Sequence, residues 1–274
     1  MTMNPMMFAT IPREIIYNKD FGTIRVGTYI YLFKNRTTDG IEVVFSIEDL
    51  VNWMKQKPNR NSGKINDQCI DMIYNLVDLK YITSIAEKDD LRGKFVKLNR
   101  AKTDPHMFDL SADCASISYD EIKKVQNYES VLLENGYSNS DISGLSVNIL
   151  LLILAYIRVN IDGNKTEPNC CYRHLSAIKE DIGLSQKTIA KAIPVLEKLK
   201  LIRCREMKRR RYIGLDGQYH FKTTPKIFAN EYKYKRDSNS ELVIDTNHDP
   251  EKEIQMQEKD LLAKWLEKEN SYKQ

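Results

Sequence analysis

Glycine and proline are scarce in this sequence, with 11 and 8 residues among 274. This scarcity excludes collagen-like, glycine-rich low-complexity and propeller-like chains, which need many more turn residues. A long hydrophobic run is also missing, because the longest apolar stretch, Ile149 to Ile157, is about half of what a bilayer-spanning helix needs. The N-terminus lacks a basic start followed by an apolar stretch and a small-residue cleavage site, so we expect a cytoplasmic protein.

Cysteine is sparse, and the common catalytic motifs are absent from the sequence. Five scattered cysteines, an odd number in a chain of this size, predict reduced thiols. There is no phosphate-binding G-x-x-x-x-G-K-[ST] run, and the four histidines form neither a His-x-His nor a His-Glu-x-x-His pattern. Cys170, Cys171 and His174 lack a second closely spaced ligand pair, which favours small buried residues over a zinc site. We therefore expect a protein that is not an enzyme and has no cofactor.

The overall charge is nearly balanced, with 42 Lys and Arg against 38 Asp and Glu. A charged partner must therefore be inferred from local clusters. The length suits two domains of roughly 100 to 150 residues. Hydrophobic residues make up 42% of the chain, which is enough for two separate cores.

An internal repeat is visible at an offset of 120 residues. The segment from Asn75 to Ile82 aligns with the segment from Val195 to Ile202, and each has the pattern of an amphipathic helix end followed by a strand start. Upstream, the apolar helix patterns that precede Asp39-Gly40 and Asp162-Gly163 align at nearly the same offset. The sequence thus predicts two copies of one architecture, the first repeat at about 8–100 and the second at about 145–235.

The second repeat shows three helix patterns and two short strands. Ser146 caps a predicted helix through about Asn160, a shorter helix spans about 173–181, and Ser185 is a good N-cap for a third. The apolar stripe of this third helix consists of Ile189, Ile193, Leu196 and Leu199. Two strand candidates, at about 203–212 and 218–224, follow it.

The first repeat shows the same order of elements. An extended segment is predicted at 8–16, helices at 23–33, 46–54 and 62–79, and a β-hairpin with strands at 81–85 and 94–98. The inward positions predicted for its third helix are Ile65, Cys69, Met72, Leu76 and Leu79.

The remaining segments join and follow the repeats. Ser118 to Glu121 has the capping-box pattern of a helix to about Glu134, and 136–144, rich in Ser and Asn, is the expected linker. A C-terminal helix begins at Asp249-Pro250 with an apolar stripe, and it either packs on its own domain or binds a partner. The predicted division is a first domain at 1–110, a joining segment at 111–144, a second domain at 145–235 and a C-terminal region at 236–274.

Helix, helix, turn, helix and β-hairpin is the element order of a winged helix-turn-helix, and the chain resembles that superfamily twice. Its tandem arrangement with a joining helix is similar to the replication initiators of plasmids and phages and to the winged-helix replication-restart proteins of low-GC bacteria. The resemblance implies an α+β, mostly helical fold of two tandem winged-helix domains plus a C-terminal helix. It also implies binding of double-stranded DNA, with each third helix in the major groove and each wing on the backbone or minor groove.

A basic run lies where the wing of the second repeat is expected, with only Glu206 as an acidic neighbour. It contains Arg203, Arg205, Lys208, Arg209, Arg210 and Arg211. Such density is typical of a phosphate-binding surface, because neutralising phosphates releases condensed counterions. The alternative is a solvated charge run on a hairpin.

The third helix of the second repeat starts with residue types that contact base edges. These candidate DNA-binding residues are Gln186, Lys187, Thr188 and Lys191. Lysine and glutamine are also common on the solvent face of helices, so a solvated face is the alternative. Pro194 lies inside this helix and predicts a kink that would leave only the first turn in reach of bases.

The first repeat offers a weaker set of DNA-binding candidates around its third helix. They are Arg60, Ser62, Lys64 and Asn66. Asp67 and the acidic hairpin turn with Glu87, Asp89 and Asp90 would repel phosphate. The first repeat therefore contacts either DNA or protein, and the sequence leaves both open.

Together these patterns predict a sequence-specific double-stranded DNA-binding protein. The resemblance favours a plasmid or phage replication initiator that binds origin repeats and recruits the host replicative helicase or its loader. A homo-oligomer is one form that such an initiator could take. We expect no membrane partner. A transcriptional regulator with the same fold is the first alternative. A winged-helix protein-interaction scaffold is the second.

Overall fold

The computed structural model describes most of the chain and shows an α+β protein with small antiparallel sheets. The described residues are 8–37, 40–59, 61, 63–85, 91, 97–103, 113–162, 168–207, 210–213, 219–222, 225–236 and 242–271, with only the backbone described at some positions, among them 210–213 and 219–222. No helix in these ranges is long and apolar enough to cross a membrane.

The first repeat is built on a three-stranded sheet. Its elements are β1 (Phe8–Pro12), α1 (Arg13–Tyr17), α2 (Ile24–Lys34), β2 (Glu42–Phe45), α3 (Ile47–Trp53), α4 (Ile65–Asp78), β3 (Ile82–Ile85) and β4 (Asn99–Thr103), with a short 3-10 turn at Lys19–Phe21. Ser46 caps α3 by accepting a hydrogen bond from the Asp49 amide at 3.1 Å. The strands lie in the order β2-β4-β3. The predicted helices are confirmed.

The predicted hairpin of the first repeat is wrong in its second strand. The strand that pairs with β3 is β4, whereas residues 94–96 of the predicted strand lie outside the described residues. Strand β4 also pairs with β2, and Phe45 of β2 lies opposite Asn99 of β4. The sequence did not predict β2. Strand β4 is the central strand and pairs with a strand on each side. Its residues Asn99, Ala101 and Thr103 are buried, and the two residues between them are exposed.

The joining segment is folded rather than extended. It forms β5 (Cys114–Ser118), α5 (Tyr119–Gln126), α6 (Tyr128–Glu134) and α7 (Asn139–Ile142). Strand β5 pairs with β1, and the predicted capping box at Ser118 and Glu121 is confirmed. The helix predicted to reach Glu134 is interrupted at Asn127, and the predicted linker holds α7, whose Ile142 is buried. The segment is therefore part of the packed structure.

The second repeat follows the element order that the described residues of the first show from α2 onward, with two further strands before its last strand. It consists of α8 (Val147–Asp162), β6 (Cys170–Arg173), α9 (Leu175–Ile182), α10 (Gln186–Lys198), β7 (Ile202–Glu206), β8 (Arg210–Ile213), β9 (Tyr219–Lys222) and β10 (Lys226–Asn230). Its main sheet has the order β6-β10-β7, and β8 and β9 form a separate ribbon between β7 and β10 in sequence. Strands β6 and β10 were not predicted.

The strand order confirms the repeat at the level of topology. In both repeats the last strand lies between the other two. The turn after the third helix is also the same, because Lys80 and Lys200, 120 residues apart, both adopt positive φ angles, 65° and 53°. Non-glycine residues rarely adopt this conformation, so its recurrence marks equivalent positions.

One continuous core replaces the two cores expected from chain length. Helix α8 is buried from Val147 to Ile161 and packs on α2 of the first repeat. Most buried residues of both repeats belong to one hydrophobic cluster. The helices approach closely at Gly27, where a Cβ atom would lie 2.4 Å from Oδ1 of the buried Asn148 and 2.8 Å from Sδ of Met54.

Gly27→Ala is expected to lower the free energy of unfolding by about 1–3 kcal/mol, because the added methyl group overpacks the contact between α2 and α8. At an exposed helix site the same change would stabilise by up to about 1 kcal/mol. Urea denaturation followed by circular dichroism measures the difference, with Ser176→Ala on the exposed face of α9 as a control. A stability equal to or above that of the wild type would show that the helices do not meet at Gly27.

A buried ion pair connects the joining segment to the core. Glu121 of α5 accepts a hydrogen bond from Nη2 of Arg158 on α8, and the two side chains are only 3% and 4% exposed. The same Nη2 donates to the Leu201 carbonyl at 3.2 Å. The other Glu121 carboxylate oxygen accepts from the backbone amide of Ser118 at 2.8 Å. Three parts of the chain therefore meet at this pair.

The C-terminal region packs on the second repeat. A ribbon of β11 (Tyr234–Arg236) and β12 (Leu242–Ile244) precedes α11 (Pro250–Ser271), which is capped by Asp249 as predicted. Ile254 and Leu261 of α11 form a second hydrophobic cluster with Cys170, Met207, Ile227 and Ala229 on the outer face of the sheet. Of the two alternatives for this helix, the structure supports packing on its own domain.

Candidate nucleic-acid interface

Helices α9 and α10 form a helix-turn-helix in the second repeat. The turn contains Gly183, whose φ of 77° lies in the left-handed region that glycine adopts without strain. Ser185 caps α10, since its hydroxyl accepts a hydrogen bond from the Thr188 amide at 3.1 Å. The apolar stripe predicted for α10 faces the core. The opposite side of α10 is therefore presented to solvent.

The exposed strip of α10 contains two of the predicted residues and three others. It comprises Gln186, Lys187, Ala190, Pro194 and Lys198. The last three were missed, although their spacing opposite the apolar stripe was visible in the sequence. The helix continues through Pro194 to Lys198, so its helical turns extend past the site of the predicted kink. Small side chains at 190 and 194 permit close approach of the helix to another surface.

Lys191 and Thr188 are not presented in the way that was expected. The Lys191 ammonium donates to the carbonyl oxygens of Ser140 at 2.9 Å and Ser143 at 2.6 Å, at the end of α7. The Thr188 hydroxyl lies 2.8 Å from that of Ser185. The Lys191 ammonium therefore connects α10 to the joining segment, whereas the Thr188 hydroxyl contacts the cap of its own helix.

Arg203 and Arg205 lie on β7 and are paired with carboxylates, which corrects their placement on a free basic wing. Arg203 Nε is 2.7 Å from Glu231. Arg205 contacts Glu251 and Glu258 of α11, the latter at 3.4 Å. Glu251 and Glu258 lie on α11, which packs on this sheet, whereas Glu231 directly follows β10; these carboxylates offset both positive charges. Neither arginine offers the unpaired charge expected for phosphate binding.

The rest of the basic run belongs to the segment between β7 and β10. Arg210 and Arg211 begin β8, whose backbone pairs them with Lys222 and Phe221 of β9. The side chains of these two arginines lie outside the described residues, as do Lys208 and Arg209. The backbone ribbon lies between β7 and β10 in sequence, where the resemblance predicts a wing.

The DNA-binding candidates of the first repeat differ in their exposure to solvent. Lys64 is exposed at the start of α4. Asn66 is fully buried, and its Oδ1 accepts a hydrogen bond from the Asn59 amide at 2.8 Å. Asn66 therefore holds the turn before α4, and its predicted contact with DNA is wrong for this structure. Arg60 and Ser62 lie outside the described residues.

The third helices of the two repeats carry opposite charges. At the offset of 120 residues, Lys187, Lys191 and Lys198 of α10 correspond to Asp67, Asp71 and Asp78 of α4. An aspartate facing DNA is repelled by phosphate, whereas a lysine is attracted. The charge pattern therefore favours α10 over α4 as a DNA-binding helix.

The strip of α4 that corresponds to the exposed strip of α10 is partly covered. Ile70, equivalent to Ala190, is fully buried. Tyr74, equivalent to Pro194, accepts a hydrogen bond at 3.2 Å from the backbone amide of Leu91, which is itself buried. Leu91 lies between β3 and β4, where the wing of the first repeat is expected. The middle of this side of α4 is therefore covered by its own repeat, whereas Asp78 at its end is exposed.

Among the described residues we find little that suggests a metal site or a reactive thiol. No group of three or more His, Cys, Asp or Glu among them is placed to hold a metal ion. Burial raises the pKa of the Cys170 and Cys204 thiols to about 12, so both are protonated at neutral pH. The exposed strip of α10 is the best-formed candidate surface.

Comparison with known proteins adds no family to this picture. No family model matches the chain, and no curated protein matches it either. The interpretation of the α10 surface therefore rests on its geometry and charge.

Proposed function

We propose that the chain is a sequence-specific double-stranded DNA-binding protein with two tandem winged-helix domains, and that DNA is contacted by α10 and the ribbon of the second repeat. The observation that carries this proposal is the exposed strip of α10, the second helix of the helix-turn-helix, which has Lys187 and Lys198 but no acidic residue among its five residues. The strand order of both sheets, with the last strand in the middle, supports the winged-helix assignment.

Each residue of the strip has a role in the proposed complex. Gln186 and Lys187 lie in the first turn, where a recognition helix reaches base edges with hydrogen-bond donors. Ala190 and Pro194 offer apolar contact to a thymine methyl group and keep the helix close to the groove. Lys198 and the basic residues of the ribbon bind phosphates, which fix the register without specifying sequence.

Lys187→Ala is expected to weaken binding to the preferred duplex by about 1–3 kcal/mol and to weaken binding to random duplex much less, because a lost base contact removes discrimination. Lys191→Ala is the matched control on the same helix. It should lose less affinity, since its ammonium is bound to the carbonyls of Ser140 and Ser143. Titration of both duplexes at one salt concentration measures these differences.

Equal losses on both duplexes would reassign Lys187 to the DNA backbone. No loss on either duplex would remove α10 from the interface and contradict the proposal. The preferred duplex is obtained by pulling down genomic or element DNA with the protein and sequencing what is recovered.

For the biological role we propose replication initiation of a plasmid or phage, with the host replicative helicase or its loader as partner. This step rests on the resemblance of the tandem arrangement to that family. The recovered DNA tests it, since direct repeats in or beside the chain's own gene support an origin. An inverted repeat upstream of a gene would instead support a transcriptional regulator.

One observation favours protein contact by the first repeat. Its helix α4 is acidic, and Tyr74 and Leu91 cover the middle of its strip, so this repeat is poorly suited to a major groove. A scaffold function predicts that the chain captures the helicase or loader without DNA. Loss of such capture on nuclease treatment would contradict it.

A further inference from the structure

A fully buried arginine of the first repeat contacts the helix-turn-helix of the second. Arg25 on α2 is 0% exposed. Its Nε donates to the Ile16 carbonyl at 2.9 Å, and its Nη2 donates to the carbonyls of Ile16 at 2.7 Å and Ile182 at 3.1 Å. Its Nη1 donates to the Gly22 carbonyl. Within the described part of the chain, every hydrogen bond of this guanidinium goes to a backbone carbonyl.

These carbonyls lie at the C-terminal ends of three helical segments. Ile16 is in the last turn of α1, Gly22 ends the 3-10 turn, and Ile182 is the last residue of α9. Helix C-termini carry partial negative charge and unpaired carbonyl groups, so together they stabilise a buried cation. Burial lowers the pKa of Arg25 to about 10, which leaves it charged at neutral pH.

The contact reaches the turn that sets the start of α10. Ile182 is followed by Gly183 and Leu184, and then by Ser185, the cap of α10. A second contact from the first repeat lies beside it, since Lys19 Nζ donates to the Glu180 carbonyl at 3.0 Å and the Lys19 stem lies against Gly183. The end of α9 is thus held from the first repeat at two successive places.

We propose that Arg25 is a positioning residue for DNA recognition, and that the first repeat orients α10 of the second repeat instead of contacting bases itself. This inference rests on the proposed function of α10. A planar guanidinium has donors in fixed directions, so it sets the relative positions of three helix ends more narrowly than an apolar side chain of the same volume. The acidic and partly covered strip of α4 fits the same division of roles.

The test compares Arg25→Met and Lys19→Ala with Leu50→Ala. Arg25→Met removes the guanidinium and keeps an unbranched side chain. Lys19→Ala changes an exposed residue, so this variant is expected to fold even if Arg25→Met does not fold. Leu50 is buried on α3, which packs mainly on α4 of its own repeat, so Leu50→Ala controls for lost stability alone.

The first readout is hydrogen exchange of the free protein. We expect faster exchange of the amides from Gly183 to Ile189 in Arg25→Met and, to a smaller extent, in Lys19→Ala. In Leu50→Ala these amides should follow the rest of the chain. Unchanged protection of this segment relative to α8 in both Arg25→Met and Lys19→Ala would overturn the inference without bearing on DNA binding.

The second readout is the ratio of affinities for the preferred and scrambled duplexes. In Arg25→Met this ratio is expected to fall about tenfold or more, the cost typical of removing a supporting residue. The salt dependence on scrambled DNA should persist, because phosphate contacts by the ribbon are retained. An unchanged ratio in a folded variant overturns the inference, whereas a wild-type protein without any preference would contradict the proposed function itself.

Discussion

Glu121→Ala is expected to lower the free energy of unfolding by about 3–5 kcal/mol, because it leaves the charge of Arg158 buried without its carboxylate. Both side chains are nearly inaccessible, at 3% and 4% exposure, so water cannot replace the lost partner. The change also removes the acceptor of the Ser118 amide and with it the capping box of α5. Urea denaturation followed by circular dichroism measures the loss.

Two further variants separate charge from packing at this pair. The double change Glu121→Leu with Arg158→Met should recover much of the lost stability, since replacing both ions with apolar groups is often neutral or favourable. Lys123→Ala removes a charge from the exposed pair with Asp120 and should change stability by no more than about 0.5 kcal/mol. If Glu121→Ala were as mild as Lys123→Ala, the pair would not be buried in solution.

Replacing Arg209, Arg210 and Arg211 together with alanine is expected to weaken binding to every duplex alike. Each phosphate contact contributes nearly one unit to the slope of log K against log salt, so the slope should flatten by roughly 2–3 units. The expectation rests on the charge of this run and on the place of β8 in the ribbon between β7 and β10. Binding measured at several salt concentrations gives the slope.

A matched control removes the same charge from another surface. Lys252, Lys259 and Lys264 are exposed on α11, and their triple replacement with alanine should leave the slope unchanged. An identical change of slope in both triple variants would reflect overall charge alone. An unchanged slope in the arginine variant would show that the basic run is a solvated face.

The helices were predicted well, because their signals are local. Ser46, Ser118 and Ser185 each cap the helix predicted to start after them. The apolar positions of α10 recur every three to four residues, which identifies its buried side from the sequence alone. The offset of 120 residues was visible for the same reason, since each repeat carries its own helix and turn pattern.

The strands were predicted less well, because pairing depends on distant residues. Strands β2, β6 and β10 have four or five residues each and lie beside partners 20 to 60 residues away in sequence. A run this short has no reliable pattern of its own. Strand pairing in these sheets depends on the tertiary structure, which brings the distant segments side by side.

The sequence by itself determined the two repeats, their helices and the basic run of the second repeat, because composition, capping and periodicity act over a few neighbouring residues. Tertiary structure alone decided which charges are available. Arg203 and Arg205 meet carboxylates 28 to 53 residues away, and Lys191 meets carbonyls of the joining segment. Packing of distant segments sets these contacts, so no local pattern could show that the strip with Lys187 stays open.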